Sequence, residues 1–478
     1  MIRMTVAEML AATCAELLTG SHDAAFEGVV IDSRQAGEGN AFVAFPGERV
    51  DGNTYVAQAL RAGANVAVVT REPDEDALTA ARETDGCIVR ARDDDAEAFM
   101  LMLAGAWREA NPQWVVVGVT GSVGKTTTKD MLAAAIGASR RVHATKGNFN
   151  NLLGVPLTLF AADANDEVLV VEMGMNHAGE LTRISACARP DVAVITNVGT
   201  SHIGNLGSRE GIARAKAEVV GGMRHEGPIR PTLVMHASDD FTDFIASEYC
   251  EPSGVSVLRV GGRDGSLTAR DVELDENGLA SMTVVFADGA SLPGVLSLPG
   301  QAMVEDALSA MGVAEVLGLP RDASLAAIGS MKPTRLRVEV AQTERSARII
   351  NDSYNASPSS MAAALDLLCS MTCAGRRIAV LGEIGELGDM SDRLHAMVGA
   401  YAAAKHPDML CVVGGEAADS LVDGARTMGF SDDRLSRFAT AAEAARVLVP
   451  VLEADDLVLV KASRSVGLEL FAKEALSV

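Results

Sequence analysis

The residues with the clearest chemical potential lie in one glycine-rich segment after an apolar run. Val115–Thr120 is rich in β-branched residues and predicts a buried strand, which residues 121–127 (GSVGKTT) follow. The glycines allow a tight turn with inward-pointing amides, and a helix after it adds the positive end of its dipole. The lysine reaches nucleotide phosphates and the next hydroxyl binds Mg²⁺. We predict an ATP-phosphate site at these residues: Gly121, Ser122, Gly124, Lys125, Thr126 and Thr127.

The loop departs from the full P-loop pattern in its spacing. That pattern is G-x-x-x-x-G-K-[ST], whereas residues 121–126 of this chain form the shorter G-x-x-G-K-T. An ordinary strand–turn–helix corner is the alternative, although a Gly-Lys-Thr after an apolar strand is unusual for a mere corner. We expect the helix over residues 129–136.

Two strand ends and one helix carry further candidate residues. Glu172 ends an apolar strand, and His202 follows another near residues 192–197. Ligands of such sheets bind at the carboxyl ends of the strands, so both side chains can ligate a divalent cation there. A lone histidine is more often a packed or surface residue. Lys216, on a predicted helix over residues 208–220, has the pattern of a solvated helix charge.

Several polar segments elsewhere in the chain are either ligand-binding sites or ordinary loops. Residues 146–151 are dense in amides that can orient a carboxylate or phosphate, and residues 351–360 follow a strand and open a helix capped by Ser357. Residues 461–465 follow another strand with two cations, which suits an anionic ligand. Residues 33–34 and the turn at Gly47 can bind phosphate or nucleotide. Simple loops and surface turns are the alternatives.

Size, charge and cysteine usage limit the classes of protein. A chain of 478 residues predicts two to four domains. The net charge of -23 disfavours binding to nucleic acid or anionic membranes. Seven scattered cysteines without a CxxC pair indicate a reducing compartment. We find no signal-peptide pattern or membrane-length apolar run, and expect a cytoplasmic protein without membrane insertion.

The chain divides into three α/β units. Residues 1–110 alternate short strands and helices. Residues 111–330 contain the P-loop and predict a parallel-sheet ATPase domain with added β-hairpins between about 255 and 298. Residues 331–478 alternate strands and helices again and predict a doubly wound, Rossmann-like domain.

The ordered set of motifs resembles the Mur ligase family, the ATP-dependent amide-forming enzymes of peptidoglycan synthesis. The likeness covers nearly the whole chain. It rests on residues 120–127, Gly147-Asn148-Phe149-Asn150-Asn151, Glu172-Met173-Gly174, His202, Ala215-Lys216-Ala217-Glu218, Arg335, Asp352-Ser353-Tyr354-Asn355-Ala356, Glu386-Leu387-Gly388 with His395, Lys461-Ala462-Ser463-Arg464, Asp32-Ser33-Arg34 and Phe45-Pro46-Gly47.

The resemblance implies domains for UDP-muramyl peptide, for ATP and for the amino substrate. It implies ATP and Mg²⁺ as cofactors, UDP-N-acetylmuramoyl-tripeptide and D-alanyl-D-alanine as substrates, and a monomer. It implies catalytic roles for Lys125, Glu172, His202 and Lys216, with Thr126, Glu172, His202 and a carbamylated Lys216 at the metals. Nucleotide contacts are implied for Asp306, Arg335, Asp352 and Asn355. Substrate contacts are implied for Ser33, Arg34, Gly47, Asn148, Asn150, Asn151, Lys461, Ser463 and Arg464.

The chain departs from the family in three places. The family pattern Gly-x-His-Asn-x-x-Asn corresponds to residues 300–306 of this chain, with Asp306 in place of the second Asn. Thr334 and Ala462 stand where glycine is usual. We expect Asp306 to weaken adenine recognition, because a carboxylate only accepts hydrogen bonds. Two alternatives remain: another ligase of the superfamily, such as a folylpolyglutamate synthetase, or a non-catalytic nucleotide-binding paralogue.

Overall fold

The N-terminal domain is built on a small mixed sheet. A computed structural model describes residues 1–47 and 50–477 of the chain. In that part of the chain, the elements of this domain are β1 (Arg3–Thr5), α1 (Val6–Thr13), β2 (Glu16–Thr19), β3 (Ala25–Glu27), β4 (Val29–Val30), β5 (Ala41–Val43), α2 (Val56–Arg61), β6 (Val66–Val69), α3 (Glu75–Thr84), β7 (Cys87–Arg90) and α4 (Ala96–Ala110).

The sheet of this domain has the order β2-β7-β6-β5-β4, and β4, β5, β6 and β7 are parallel. A capping box opens α1, since the Thr5 and Glu8 side chains each accept a hydrogen bond from the other's backbone amide. Because β4 and β5 are adjacent and parallel, the residues that follow them leave the same edge of the sheet. This topology places Ser33, Arg34 and Gly47 at one edge.

The central domain carries the P-loop on a larger sheet. Its elements are β8 (Val115–Thr120), α5 (Lys125–Gly137), β9 (Val142–Ala144), α6 (Gly154–Ala161), β10 (Val168–Glu172), α7 (Glu180–Ala188), β11 (Val192–Ile195), α8 (Ile203–Leu206), α9 (Arg209–Gly221), β12 (Thr232–His236), α10 (Thr242–Ile245), β13 (Ser256–Val260), β14 (Leu267–Leu274), β15 (Leu279–Phe286), β16 (Ser291–Pro299), α11 (Ala302–Val316) and α12 (Arg321–Gly329).

The strand order of the central sheet is β16-β15-β14-β13-β12-β11-β8-β10-β9. Strand β8 is buried on both faces: Val115, Val117 and Val119 pack under α5 and α11, and Val116 packs into the core that holds α7 and α9. The predicted β-hairpins are confirmed for β14, β15 and β16, which pair antiparallel. The prediction was wrong for β13, which pairs parallel with β12 and extends the ATPase sheet.

The C-terminal domain is a second doubly wound sheet. Its elements are β17 (Glu339–Gln342), β18 (Arg348–Asn351), α13 (Pro358–Ser370), β19 (Arg377–Gly382), α14 (Ser391–Ala404), β20 (Met409–Val413), α15 (Ala417–Thr427), β21 (Leu435–Phe438), α16 (Ala441–Leu448), β22 (Leu457–Lys461) and α17 (Glu469–Ala475). Its strand order is β17-β18-β22-β19-β20-β21, and only the edge strand β17 pairs antiparallel among these described strands. The three-domain α/β prediction is confirmed, and we propose boundaries at residues 110 and 330.

A buried ion pair fixes α4 to the central sheet. Asp191 Oδ2 accepts from Arg108 Nη2 at 3.1 Å and from the Val116 amide at 2.8 Å, and Arg224 Nε lies 3.4 Å from Oδ1. Arg108 is 1% exposed and also donates to the carbonyl of Ala188. One carboxylate thus ties the helix that leaves the N-terminal domain to two strands of the next domain.

Removal of this carboxylate should destabilise the protein. We expect Asp191→Ala to lower the midpoint of thermal unfolding by about 5 °C or more, because it leaves a buried guanidinium without its counter-ion. Glu226→Ala is the matched control, since Glu226 is an exposed carboxylate paired with Arg189. Calorimetry of both variants checks this, and equal midpoints would contradict a structural role for Asp191.

Candidate active site

The P-loop backbone is held where side chains do not fit. Gly121 has φ +146° and Gly124 has φ +87°, both in the region that favours glycine. A Cβ on Gly121 would lie 1.8 Å from Thr196 Oγ1, and one on Gly124 would lie 2.6 Å from Asp306 Oδ1. The predicted helix start at residue 129 was wrong. Helix α5 begins at Lys125 directly after Gly124, and the β-branched threonines of its first turn concealed it.

A loop after the adjacent strand β11 supports the P-loop, and sequence reasoning missed its residues. The Asn197 side chain accepts from the Val123 amide and donates to the Val123 carbonyl, both at 3.0 Å. Ser122 donates its amide to the Asn197 carbonyl, and its Oγ accepts from the Gly199 amide at 2.9 Å. The only signal was position, because this loop leaves the strand that pairs with β8.

Lys125 and Glu172 meet at this edge of the sheet with Thr126. Glu172 is 2% exposed, and its Oε2 accepts from Thr126 Oγ1 at 2.9 Å. Its Oε1 accepts from Asn150 Nδ2 at 2.8 Å. Lys125 Nζ donates to the Gly121 carbonyl at 2.7 Å. Burial lowers the pKa of Lys125, and the charge of Glu172 acts in the opposite direction.

The donor set beside the P-loop fits a hard cation. A buried carboxylate and a hydroxyl are oxygen ligands of the kind Mg²⁺ takes, with substrate phosphates and water completing its shell. Residues 1–47 and 50–477 hold no group of three or more acidic, histidine or cysteine side chains placed to bind a metal. The hydroxyls of Thr120 and Thr200 are buried without a hydrogen-bond partner in the described structure.

Lys216 lies inside the protein rather than on its surface. It is 1% exposed on α9, and its ammonium makes no hydrogen bond or ion pair with any described residue. Burial lowers its pKa well below the usual value, and the positive charge of Lys125 lowers it further. The plain interpretation as a solvated helix charge was therefore wrong.

His202 faces the C-terminal domain. It has φ +62° and opens α8, and its Nδ1 lies 2.5 Å from Glu386 Oε2. The histidine lowers the pKa of Glu386. Next to it, a Cβ on Gly204 would lie 2.7 Å from the Gly388 amide nitrogen. The metal role of His202 stays a prediction, and the geometry adds a contact between domains.

The three asparagines of the amide-rich loop, Asn148, Asn150 and Asn151, differ in their contacts. Asn150 binds Glu172, as described above. Asn151 Oδ1 accepts from the amides of Leu153 and Gly154 and so caps the start of α6. Asn148 is exposed. The substrate roles predicted for these three asparagines stay predictions.

The C-terminal candidates form one cluster. Lys461 is 2% exposed, and its Nζ lies 2.5 Å from Asp352 Oδ2 and 3.0 Å from the Asn355 carbonyl. Ser463 Oγ accepts from the Gly385 amide at 2.6 Å. Sequence reasoning assigned Lys461 and Asp352 to different ligands, yet they form an ion pair. Their ligand roles stay predictions.

The remaining arginines are more exposed. The Arg464 side chain is 59% exposed and lies 3.7 Å from Glu469. Arg34 is 83% exposed and pairs with Asp32 in its own turn at 2.7 Å. Arg335 is exposed on the segment between the central and C-terminal domains. Their predicted ligand contacts stay predictions, as do those of Ser33 and the exposed Gly47.

His395 from the resemblance has a structural position. It is fully buried, and its Nε2 accepts from the Ile384 amide at 2.9 Å. Its Nδ1 lies 2.8 Å from the Ser391 carbonyl. This ring fixes the loop that carries Glu386.

Asp306 packs beneath the phosphate loop. It is 8% exposed, and its Oδ1 accepts from Thr128 Oγ1 at 2.8 Å. Burial raises the pKa of Asp306 to about 8, with the charge of Glu305 as a smaller cause in the same direction. The side chain is therefore mostly a neutral acid at pH 7, and it can donate as well as accept. Contact between Asp306 and adenine stays a prediction. The expected weakening of adenine recognition assumed a charged carboxylate, whereas burial favours the neutral acid.

Models of one family match successive parts of the chain. They are "Mur ligase family, catalytic domain" over residues 25–100, "Mur ligase middle domain" over 119–314 and "Mur ligase, glutamate ligase domain" over 336–464. With the P-loop site on the central sheet, these matches settle the class. The chain belongs to the Mur ligase family, and the predicted enzyme class, an ATP-dependent amide ligase, is confirmed.

Full-length relatives carry one name. A protein of Bacillus subtilis (strain 168), UDP-N-acetylmuramoyl-tripeptide--D-alanyl-D-alanine ligase, is 33% identical over 482 residues, which covers 99% of this chain and 98% of the relative. A protein of the same name from Escherichia coli (strain K12) is 31% identical over 393 residues, covering 82% of each.

Solved structures agree over the whole chain. The crystal structure of MurF from Acinetobacter baumannii superposes with a TM-score of 0.87 at 30% identity and covers 99% of both chains. MurF ligase from Thermotoga maritima in complex with ADP gives 0.79 at 26% identity, covering 94% of this chain and 97% of that one.

Asp306 should make stability depend on pH. Its folded-state pKa lies above its unfolded value near 4, so the folded state binds the extra proton and stability falls as pH rises toward 8. Within that window the loss is up to about 1.4 kcal/mol per pH unit. We expect Asp306→Asn to raise the thermal midpoint most at pH 8.5 and least at pH 5. Asp322→Asn, at an exposed helix position, is the control. A pH-independent difference would contradict a neutral Asp306.

Proposed function

We propose that this chain joins D-alanyl-D-alanine to UDP-N-acetylmuramoyl-tripeptide by ATP-dependent amide formation in peptidoglycan precursor synthesis. The observation that carries the proposal is a relative of that name at 33% identity across 99% of this chain. The Lys125, Thr126 and Glu172 cluster supports the chemistry. The superfamily alternative, a folylpolyglutamate synthetase, has less support, since a folylpolyglutamate synthase from Mycobacterium tuberculosis matches at 17% identity and shares the fold alone.

The reaction runs in two balanced steps. The terminal phosphoryl group of ATP passes to the carboxylate of the muramyl tripeptide, which gives an acyl phosphate and ADP. The amine of D-alanyl-D-alanine then attacks the acyl carbon, the phosphate leaves and the nitrogen loses a proton. Phosphoryl transfer depends mostly on positioning and on neutralisation of charge. The backbone amides at the start of α5 and the Lys125 ammonium supply both, because α5 begins at Lys125 and its Nζ is held at the loop by the Gly121 carbonyl.

Mg²⁺ fits beside the P-loop, where Thr126 and Glu172 would hold it. When bound, the ion neutralises phosphate charge and orients the transferred group. Asn150 contributes by holding Glu172 Oε1, which leaves the other oxygen directed at Thr126. His202, which lies between β11 and α8, belongs to the same proposed metal site.

The outer domains supply the substrate sites in this proposal. The strand edge with Ser33, Arg34 and Gly47 takes the uridine diphosphate part of the muramyl substrate. The C-terminal cluster around Lys461, Ser463 and Arg464 lies on the side of D-alanyl-D-alanine. The cytoplasm suits the seven free cysteines. Among the described residues, no helix has the length and apolarity of a membrane span.

Phosphate release tests the function directly. We expect the purified protein to release phosphate from ATP only when UDP-N-acetylmuramoyl-tripeptide and D-alanyl-D-alanine are both present. Lys125→Ala should reduce turnover by at least about 100-fold with an unchanged fold, because it removes the charge that faces the phosphates. Lys473→Ala, at an exposed helix position, should retain turnover. Product formation with a folate and glutamate, but not with the muramyl substrate, would reject the proposal.

Lys216 should carry a carbamate. We expect its amine to take up CO₂, because burial lowers its pKa and a neutral amine is the reactive form. An anionic carbamate would also suit a neighbouring Mg²⁺, whereas an ammonium would repel it. Carbon-13 NMR after equilibration with labelled bicarbonate checks this. The carbamate signal should be absent in Lys216→Arg and retained in Lys473→Arg. Absence of the carbamate signal in the wild-type protein would contradict the assignment.

A further inference from the structure

One irregular loop of the central domain both supports the P-loop and carries His202. Residues 196–202, which we name the bracing loop, connect β11 to α8. Four of these residues form hydrogen bonds with Ser122 or Val123 of the P-loop: Thr196, Asn197, Gly199 and Ser201. The position of the P-loop backbone therefore depends on the position of the bracing loop.

Val198 is the residue at which the bracing loop is itself held. Its amide donates to Asp239 Oδ2 at 2.8 Å, and its carbonyl accepts from Arg209 Nη2 at 2.9 Å. Val198 is 2% exposed, and its side chain belongs to a buried hydrophobic cluster. A buried backbone group that loses its partner destabilises its surroundings. Two charged side chains thus hold both backbone polar groups of one residue in the loop.

These two side chains are oriented by one turn after β12. Asp239 lies in this turn, and its Oδ1 accepts from the Phe241 amide at 2.9 Å, which leaves Oδ2 directed at Val198. Arg209 opens α9. Its Nη1 donates to Asp240 Oδ2 at 2.7 Å, and its guanidinium carbon lies 5.2 Å from the centroid of the Phe241 ring. The exposed ion pair contributes little stability by itself, but with the ring it fixes the direction of the guanidinium.

We propose that Asp239 and Arg209 are positioning residues of the phosphate site. They hold Val198, the bracing loop holds the P-loop, and the P-loop presents its amides and Lys125 to the nucleotide. The inference rests on the proposed ATP-dependent ligation. Hydrogen bonds with a charged partner are stronger than neutral ones, so they suit a loop that must stay in place while charge moves through the site. Donors that are positioned before the substrate binds lose this advantage when their supports relax.

The alternative is that these contacts only join α9 to the turn after β12. Their loss would then lower the thermal midpoint of unfolding and leave the kinetics of the folded protein unchanged. The same helix supplies a matched control in Arg214, which pairs with Glu210 at 2.8 Å and lies 5.0 Å from the ring centroid of Phe244. Arg214 has an ion pair and a ring as Arg209 has, but in the described structure it has no bond to the bracing loop. The two arginines therefore differ in the contact with Val198.

Steady-state kinetics of Arg209→Ala, Asp239→Ala and Arg214→Ala test the proposal. We expect each of the first two variants to raise the KM for ATP or to lower kcat by about 10-fold, the effect of one lost hydrogen bond to a charged group. The KM for D-alanyl-D-alanine should not change. Arg209→Lys should recover part of the loss, because an ammonium can still donate to the Val198 carbonyl. Arg214→Ala should have wild-type kinetics.

Calorimetric binding of ADP with Mg²⁺ adds a readout that does not require ligation. Arg209→Ala and Asp239→Ala should bind ADP about 10-fold more weakly than the wild-type protein, and Arg214→Ala should bind it equally well. If these affinities are observed while the wild-type protein performs no ligation, the proposed function fails and this inference stands. Lower thermal midpoints with wild-type ADP affinity and kinetics in both variants would overturn it, as would equal losses of affinity in Arg214→Ala.

Discussion

The active site depends on the close packing of the P-loop backbone against its neighbours. At Gly121 and Gly124 the loop approaches Thr196 and Asp306 so closely that a Cβ has no room. The loop therefore has one conformation, with Asn197 bonded to both polar groups of Val123. That conformation starts α5 at Lys125 and places Thr126 against Glu172. Every later feature of the phosphate site uses this arrangement, because phosphoryl transfer requires donors that are positioned before the substrate arrives.

Burial of charge is the second feature that shapes the site. Lys216 is buried in the central domain and Lys125 is half-buried at its P-loop, and burial lowers the pKa of both. Burial instead raises the pKa of Asp306, because it favours the neutral acid. Isolated buried charges are unfavourable, so such groups become neutral, take partners or bind ligands. Glu172 accepts hydrogen bonds from Thr126 and Asn150, burial favours the neutral form of Asp306, and covalent modification of Lys216 is our proposal.

The site also spans two domains. His202 lies next to Glu386, and Thr334 donates to Asp130. Apolar side chains accompany these polar contacts, since Ile203 and Leu387 belong to one buried cluster that extends across both domains. A ligase with separate substrates benefits from this arrangement, because the reacting groups meet only when the domains do. In the proposed reaction, contact between the domains keeps water away from the acyl phosphate.

Sequence alone determined the three α/β domains, the strand before the P-loop, the place of Lys125 in that loop and the strand-end position of Glu172. These features depend on local spacing: alternation and apolar runs define strands, and a glycine-rich turn before Lys-Thr defines the loop. Only the tertiary structure decided that Asn197 supports the loop, that Lys461 pairs with Asp352 and that Lys216 is buried. The physical reason is that partners such as Lys461 and Asp352 lie far apart in the chain, and packing chooses among many equally polar candidates.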